Sequence, residues 1–266
     1  MISHEPADII LISSDNVQFH VHLHVLYDAS GNGFASLLST LSSTRQEPGI
    51  PILTIPEKSD ILNVLLLTIY SKPIADYRPM FNILVAAVHK LKEYGIQPER
   101  YVKPGQPLFE LIRFHMPLHP LDVYVLAAHY DLFELAVAAS SHLLSARLDT
   151  ITDEQSMRMG AVYLKRLYGL HSRRIDALKN ILIRPPEPHP STSTCCLSDQ
   201  TGVSRAWALS AAYLIWDARP DMSLRYIEST MGALKQHVSC EDCKESIDAQ
   251  VRQCVADWSS VKQWSI

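Results

Sequence analysis

The spacing of hydrophobic and polar residues changes several times along the first sixty positions. A β-branched apolar run within 8–14 predicts a strand, and alternation over 17–21 predicts its hairpin partner. The leucine spacing over 23–41 predicts two short helices broken by a glycine-containing turn. A third short strand is expected within the proline-bounded run 51–56.

After this point the apolar residues follow a helical period. The helix that begins at Ser59-Asp60 is expected to stop at Lys72, because a residue before proline disfavours helix. The stretch 98–107, with its spaced prolines, predicts a connection. On the helix predicted over 153–183, Met157 and Val162 are among the residues expected to face inward. The other predicted helices span 80–94, 121–148 with a break near Asp131, and most of the chain after 195.

Composition narrows the class of protein. Hydrophobic residues make up 47% of the chain, glycines number 9 and the formal charge is −4. Such a chain has no overall attraction for nucleic acid or anionic membranes, and its longest apolar run is about half a membrane span. The start of the chain lacks a signal-peptide pattern, and five cysteines form no disulfide framework. We expect a cytoplasmic or nuclear protein.

Six segments of the first hundred residues carry a family resemblance by their order and spacing. Residues 8–15 resemble an opening strand and turn, and 19–26 an F-x-V-H-x-x-[VIL]-L segment in which a strand runs into a helix. The later segments are Ser30 with 34–38 (S-x-x-F-x-x-[ML]), 53–56 (a strand), 65–70 (L-L-x-x-[IL]-Y) and 84–91 (L-x-A-A-x-x-L). Together they resemble a BTB/POZ domain. The remainder more loosely resembles the longer BTB proteins of mushroom-forming fungi.

The resemblance implies an α+β fold, in which a small three-stranded sheet packed with helices is followed by an all-helical C-terminal region. We divide the chain into a BTB/POZ-like domain (1–98), a helical extension (99–184), a proline-rich loop (185–194) and a C-terminal helical region with C-x-x-C (195–266). The aromatic residues of the last region are expected to need the N-terminal domain as a surface for burial. Core candidates of the first domain are Phe19, Leu26, Phe34, Leu38, Ile55, Leu66, Ile69 and Tyr70.

The family resemblance further implies a non-enzymatic protein–protein interaction module, a scaffold or adaptor with protein partners. Self-association as a homodimer stays open, although the seven residues before Asp8 are fewer than a strand-exchanged dimer uses. A cullin-type ubiquitin-ligase adaptor is an alternative. Such adaptors show a hydrophobic-x-Glu triplet, whereas here the nearest acid is Glu47 and the residue two before it is Arg45.

The C-x-x-C pair formed by Cys240 and Cys243 is the sharpest candidate for metal chemistry. Its spacing suits Zn²⁺, but a closed structural site needs four ligands. Adjacent Cys195 and Cys196 offer one more thiolate, with His237 or Cys254 to complete the set. The alternative is two helical cysteines that act as small buried hydrophobes. We therefore assign no metal ligand from the sequence, and keep a zinc-stabilised helical regulatory protein as an alternative function.

The remaining residues that could bind a metal, a substrate or nucleic acid are interpreted as structural. His20, His22 and His24 alternate, but the strand is expected to end near Val21, so their rings should diverge. No nucleophile elbow, P-loop, dinucleotide-binding glycine pattern or H-E-x-x-H motif is present, so no catalytic or cofactor-binding residue and no small-molecule substrate is assigned. Basic residues of the middle segment predict a solvated helix face rather than direct nucleic-acid binding: Arg158, Lys165, Arg166, Arg173, Arg174, Lys179 and Arg184.

Overall fold

The structure is a computed structural model that describes residues 6–41 and 49–264. Arg45 and Glu47, on which the comparison with cullin adaptors depends, lie outside the described residues. The fold is mixed α+β, with a small three-stranded sheet and many helices. It forms two compact units, Met1–Ala139 with Met157–Gly160 and Ser140–Ser156 with Ala161–Ile266. Among the described helices, none has both the length and the apolar character that a bilayer crossing requires.

The sheet of the first unit has the strand order β2-β1-β3. Its strands are β1 (Ile9–Ile12), β2 (Gln18–Val21) and β3 (Ile52–Thr54). Strand β1 pairs antiparallel with β2, through a hairpin, and parallel with β3, so that Leu11 lies between Phe19 and Leu53. All three predicted strands are confirmed, and the two outer strands are the sheet edges.

The helices occupy most of the remaining described chain. They are α1 (Leu23–Ala29), α2 (Leu37–Thr40), α3 (Ser59–Ile69), α4 (Phe81–Glu93), α5 (Pro98–Tyr101), α6 (Pro107–His115), α7 (Pro120–His129), α8 (Phe133–Ser140), α9 (Asp153–Leu182), α10 (Leu197–Trp216), α11 (Leu224–Gly232) and α12 (Glu241–Ser260). The expected break near Asp131 separates α7 from α8. The prediction of a plain connection over 98–107 is wrong, because Pro98 and Pro107 each begin a helix. Proline suits a first helical position, where its missing N–H would have no intrahelical partner.

The segment between α1 and α2 departs from the helix that the sequence predicts there. Residues 34–36 have positive φ values of 55°, 56° and 64°, and α2 is only one turn long. Three residues separate Ser30 from Phe34, one more than the S-x-x-F spacing, and the chain accommodates the extra residue in a left-handed turn. The Ser30 hydroxyl stabilises this turn by accepting a bond from Phe34 N–H (2.7 Å) and donating one to the Tyr94 carbonyl (2.6 Å).

The core of the first unit largely follows the prediction. Six of the eight candidates are buried: Leu26, Phe34, Leu38, Ile55, Leu66 and Ile69. Phe19 and Tyr70 are half-buried instead. Tyr70 keeps its hydroxyl beside the strand-to-helix transition, where it accepts a bond from the His22 backbone N–H (2.8 Å) and pairs with His22 Nδ1 (2.9 Å).

The second unit has its own hydrophobic core. Trp207 on α10 and Trp258 on α12 are buried in it, and their indole N–H groups donate to the carbonyls of Leu182 (3.0 Å) and Met222 (2.8 Å). The core residues all belong to this unit, so the expectation that its aromatic residues need the N-terminal domain for burial is wrong for Trp207 and Trp258. A buried tryptophan requires a hydrogen-bond acceptor for its indole N–H, and both have one. Tyr213 and Trp216 of the same region are exposed.

Helix α9 shows why its predicted inward face is partly wrong. The helix is interrupted at Gly160 (φ 70°, ψ 162°), so residues on either side of the break are not in one helical phase. Met157 and Val162 are exposed, whereas Met159 and Tyr163 are buried. The helix begins with a complete capping box, in which Thr152 and Gln155 exchange side-chain and backbone hydrogen bonds.

One of the basic residues of α9 is structural. Arg174 is buried, its guanidinium donates to the carbonyls of Pro220 (2.7 Å), Val261 (2.8 Å) and Lys262 (2.8 Å), and it lies 4.3 Å from the Trp258 ring centroid. Burial lowers the pKa of this guanidinium from its ordinary value. Arg174 therefore anchors the end of α12 and is not part of a solvated basic face.

Candidate metal centre

Three cysteines and one histidine of the second unit converge from three parts of the chain. Cys240 is the N-cap of α12 and Cys243 lies in its first turn. Cys195 stands two residues before α10, and His189 belongs to the proline-rich connection between α9 and α10. Their ligand atoms (Nε2 of the histidine and Sγ of each cysteine) all lie within 4.8 Å of one another.

The distances between these atoms are those of a compact cluster. The Sγ atoms of Cys195 and Cys243 are 3.7 Å apart. Nε2 of His189 is 3.2 Å from Cys243 Sγ and 3.4 Å from Cys240 Sγ. Cys195 and Cys243 are buried, whereas His189 and Cys240 are half-buried. Among the described residues, this is the group of His, Cys, Asp and Glu side chains placed to hold a metal ion.

The proline-rich connection is held in place by side chains of α12. Ser246 Oγ donates to the Glu187 carbonyl (2.6 Å), and Gln250 Nε2 donates to the Arg184 carbonyl (3.2 Å). Successive prolines restrict the backbone of this connection and reduce the entropy lost when it is ordered. Side chains one and two turns along α12 therefore bring His189 to the cysteines at the start of that helix.

Hydrogen bonding orients the imidazole of His189. Its Nδ1 lies 2.7 Å from the carbonyl oxygen of Pro190, an atom that can only accept. Nδ1 therefore carries a proton, and Nε2 is the ring nitrogen directed at the sulfur atoms. The bond to the Pro190 carbonyl also raises the pKa of His189. A histidine that binds a metal commonly has its second nitrogen fixed in this way.

The electrostatics of the three thiols differ. Burial raises the pKa of Cys243 to about 12 and also raises the pKa of Cys195. Cys240 is the exception, since the backbone N–H of Cys243 at the start of α12 lowers its pKa. Without a cation, three adjacent sulfur atoms cannot all be ionised, because desolvation and mutual repulsion oppose each further charge.

The structure resolves which of the sequence candidates meet. Cys240 and Cys243 join Cys195 rather than Cys196, whose side chain is exposed. Neither proposed fourth ligand takes part. His237 is exposed at the end of a 3-10 helix, Ala233–His237. Cys254 is buried in the hydrophobic core, 3.7 Å from the Ile181 carbonyl.

His189 is the ligand candidate that the sequence analysis missed. Its only local signal is its position between two prolines, where the connection has few conformations. The alternating histidines diverge only in part. As expected, β2 ends at Val21, α1 begins at Leu23, and the half-buried His22 bonds Tyr70. The His22 and His24 ring centroids are nevertheless only 5.7 Å apart. His20 and His24 are exposed.

A second surface feature lies in the first unit beside edge strand β2. Residues from the hairpin, from α3, from the segment 77–80 and from α4 line a groove of about 500 Å³. We call it the β2 groove. Its apolar lining is Val17, Phe19, Val64, Tyr77, Pro79, Met80 and Ile83, and its polar lining is Ser59, Asp60, Asn63 and Arg78. Tyr77 and Met80 are largely exposed there, although both are side chains that burial would stabilise.

No protein-family model and no curated protein sequence matches this chain.

Proposed function

We propose that this chain is a non-enzymatic protein-binding module that accepts an extended peptide segment of another protein along β2. The observation that carries the proposal is the juxtaposition of an edge strand with the β2 groove. An edge strand presents unpaired backbone groups, which a peptide can match by adding a strand. The groove then accepts apolar side chains at alternate positions of that peptide.

The order of elements in the first unit supports a BTB/POZ-like interpretation of this module. A hairpin, two short helices, a third strand and two longer helices follow one another as the family resemblance implies. The left-handed turn at 34–36 departs from that pattern. The proposal of peptide binding depends on the groove and the sheet edge, and does not require the family assignment.

A reducing compartment is part of the proposal. None of the five cysteines forms a disulfide. The sulfur atoms of Cys195 and Cys243 are close enough to cross-link under oxidising conditions. We therefore place the protein in the cytoplasm or nucleus, where thiols stay reduced.

Met80→Asp and Met157→Asp are a matched pair of substitutions that tests whether the groove binds peptide. Met80 is 67% exposed in the groove, and Met157 is 77% exposed elsewhere in the same unit. Peptides selected from a displayed random library on the full-length chain should bind Met157→Asp normally. They should lose at least about tenfold in affinity for Met80→Asp, because a charge then enters an apolar contact.

Two outcomes would contradict the proposal. One is that no peptide is enriched over a control surface. The other is that enriched peptides bind Met80→Asp and the unmodified chain equally. A homodimer that Met80→Asp dissociates would instead identify a second copy of the chain as the occupant, and light scattering detects that case.

A further inference from the structure

We infer that His189, Cys195, Cys240 and Cys243 bind one structural Zn²⁺ ion. The distances support this directly. Tetrahedral zinc with Zn–S of about 2.3 Å and Zn–N of about 2.0–2.1 Å places two sulfur ligands about 3.8 Å apart and a sulfur–nitrogen pair about 3.6 Å apart. One of the three sulfur pairs, Cys195–Cys243, is 3.7 Å apart, and two of the three nitrogen–sulfur pairs are 3.2 and 3.4 Å apart. The remaining pairs of ligand atoms lie within 4.8 Å of one another.

The chemistry of the ligands selects zinc. Three thiolates and one imidazole form a soft set, whereas Mg²⁺ and Ca²⁺ require oxygen ligands. Three cysteines with one histidine are a common composition of structural zinc sites. Four protein ligands fill the tetrahedron, so no coordination position is open to water or a substrate. The ion therefore has a structural role and no catalytic one.

Proton balance follows from the thiols. Binding converts three thiols to thiolates and releases about three protons at a pH where the free thiols are protonated. Because Nδ1 of His189 donates to the Pro190 carbonyl, Nε2 is the nitrogen that binds the metal. The bound site carries a net charge of −1, three thiolates against Zn²⁺. This charge is favourable at the N-terminus of α12, where Cys240 and Cys243 lie.

The ion would join the segment between α9 and α10 to the start of α12. Cys195 and Cys243 are 48 positions apart, and His189 and Cys240 are 51 apart. A link between such distant positions restricts the unfolded chain, as a disulfide does. The core around Trp207 and Trp258 lies on the same helices, so metal loss is expected to release the connecting segment before the core.

The test uses the full-length chain, purified with a reducing agent, and measures zinc by mass spectrometry. We expect about one zinc per chain, and below about one fifth of that for Cys240→Ser and His189→Ala. Cys196→Ser and His237→Ala are matched controls, adjacent to ligands or similar in type but not in the cluster. Both controls should retain the metal. His189→Cys should also retain it, because a fourth thiolate gives an equally suitable site of four cysteines.

Cobalt keeps the inference testable if a ligand variant does not fold. Co²⁺ added to metal-free wild-type chain should give a stoichiometric complex whose absorption shows tetrahedral geometry and thiolate-to-metal charge transfer. The inference is overturned if the wild type binds neither metal. It is also overturned if Cys196→Ser loses zinc as fully as Cys240→Ser, or if the protein purified with a reducing agent still contains a Cys195–Cys243 disulfide. Peptide binding at the β2 groove is measured separately, so failure of one proposal leaves the other intact.

Discussion

Nε2 of His189 lies 3.2 Å from Sγ of Cys243, although the two residues are 54 positions apart. The contact joins a proline-rich connection to the first turn of α12. Neighbouring hydrogen bonds from Ser246 and Gln250 hold the same connection, so the approach does not depend on one pair of atoms. The histidine and cysteine side chains thus meet where a metal ion would link two distant parts of the second unit.

Metal removal is expected to destabilise the second unit in a pH-dependent manner. In the metal-free site burial raises the pKa of Cys243 to about 12, so a proton competes with the metal for this sulfur. Bound metal keeps the thiolate ionised. The stabilisation by zinc is therefore present at neutral pH and is lost as the pH falls.

Zinc release, followed with a chromogenic chelator, should increase steadily on acidification. Amide hydrogen exchange at neutral pH should show faster exchange over 184–196 after chelation, with less change in the core of the second unit. A rate over 184–196 that chelation leaves unchanged would contradict the expected structural role.

Substitution of Arg174 should separate its structural role from that of the exposed basic residues. Arg174→Lys retains the charge, but an ammonium group cannot donate to all three carbonyls as the planar guanidinium does. We therefore expect a loss of about 3 kcal/mol in the free energy of unfolding. The exposed Lys165 is the control, and Lys165→Met should change stability by about 0.5 kcal/mol or less. Urea unfolding followed by tryptophan fluorescence measures both. Equal stability of Arg174→Lys and wild type would refute the role.

Gln200 offers a substitution expected to raise stability. Its side chain is buried, and neither its Oε1 nor its Nε2 has a hydrogen-bond partner among the described residues. Gln200→Met keeps the shape and removes two unsatisfied polar atoms, which should stabilise the chain by about 1 kcal/mol.

Gln250 is the matched control, because its Nε2 donates to the Arg184 carbonyl. Gln250→Met should therefore lower the thermal unfolding temperature, whereas Gln200→Met should raise it. If both substitutions lower it, the Gln200 amide has a stabilising partner, such as a buried water molecule.

Asp15 connects the β1–β2 turn to the start of α3. Its carboxylate accepts bonds from the Ser13 hydroxyl (2.6 Å) and from the backbone N–H (2.9 Å) and hydroxyl (2.6 Å) of Ser59. These bonds, the Ser13 hydroxyl first, lower the pKa of Asp15 from 3.8 to about 2. Because the pKa is lower in the folded state, the contribution to stability is present above about 3.8 and is lost as the pH falls to about 2.

Asp15→Asn should accordingly lower the urea midpoint at neutral pH, and the difference from wild type should shrink as the pH approaches about 2. Asp28→Asn, at an exposed position of α1, is the control and should have a smaller effect at neutral pH. If the difference in urea midpoint between Asp15→Asn and wild type grows on acidification, the Asp15 carboxylate does not stabilise the fold in the way proposed.

Much of the fold could be predicted from local sequence. The three strands and helices α3 and α4 were predictable because alternation and helical periodicity report which face of a segment is buried. Two errors came from local signals with more than one meaning. The proline at 107 begins α6 although prolines also mark connections, and Gly160 changes the helical phase, which a single period cannot represent.

The candidate site was only half predictable. A C-x-x-C pair places two sulfur atoms together through local geometry alone, so Cys240 and Cys243 could be recognised without coordinates. The choice of Cys195 over Cys196, and of His189 over His237, depends on how the connection between α9 and α10 packs on α12.

By itself the sequence determined the three strands, most of the helices and the paired cysteines, since each depends on residues a few positions apart. The tertiary structure alone decided the left-handed turn at 34–36, the separate core of the second unit and the complete ligand set. Those features depend on contacts between residues tens of positions apart, and the free energy of such contacts is not encoded in any local spacing.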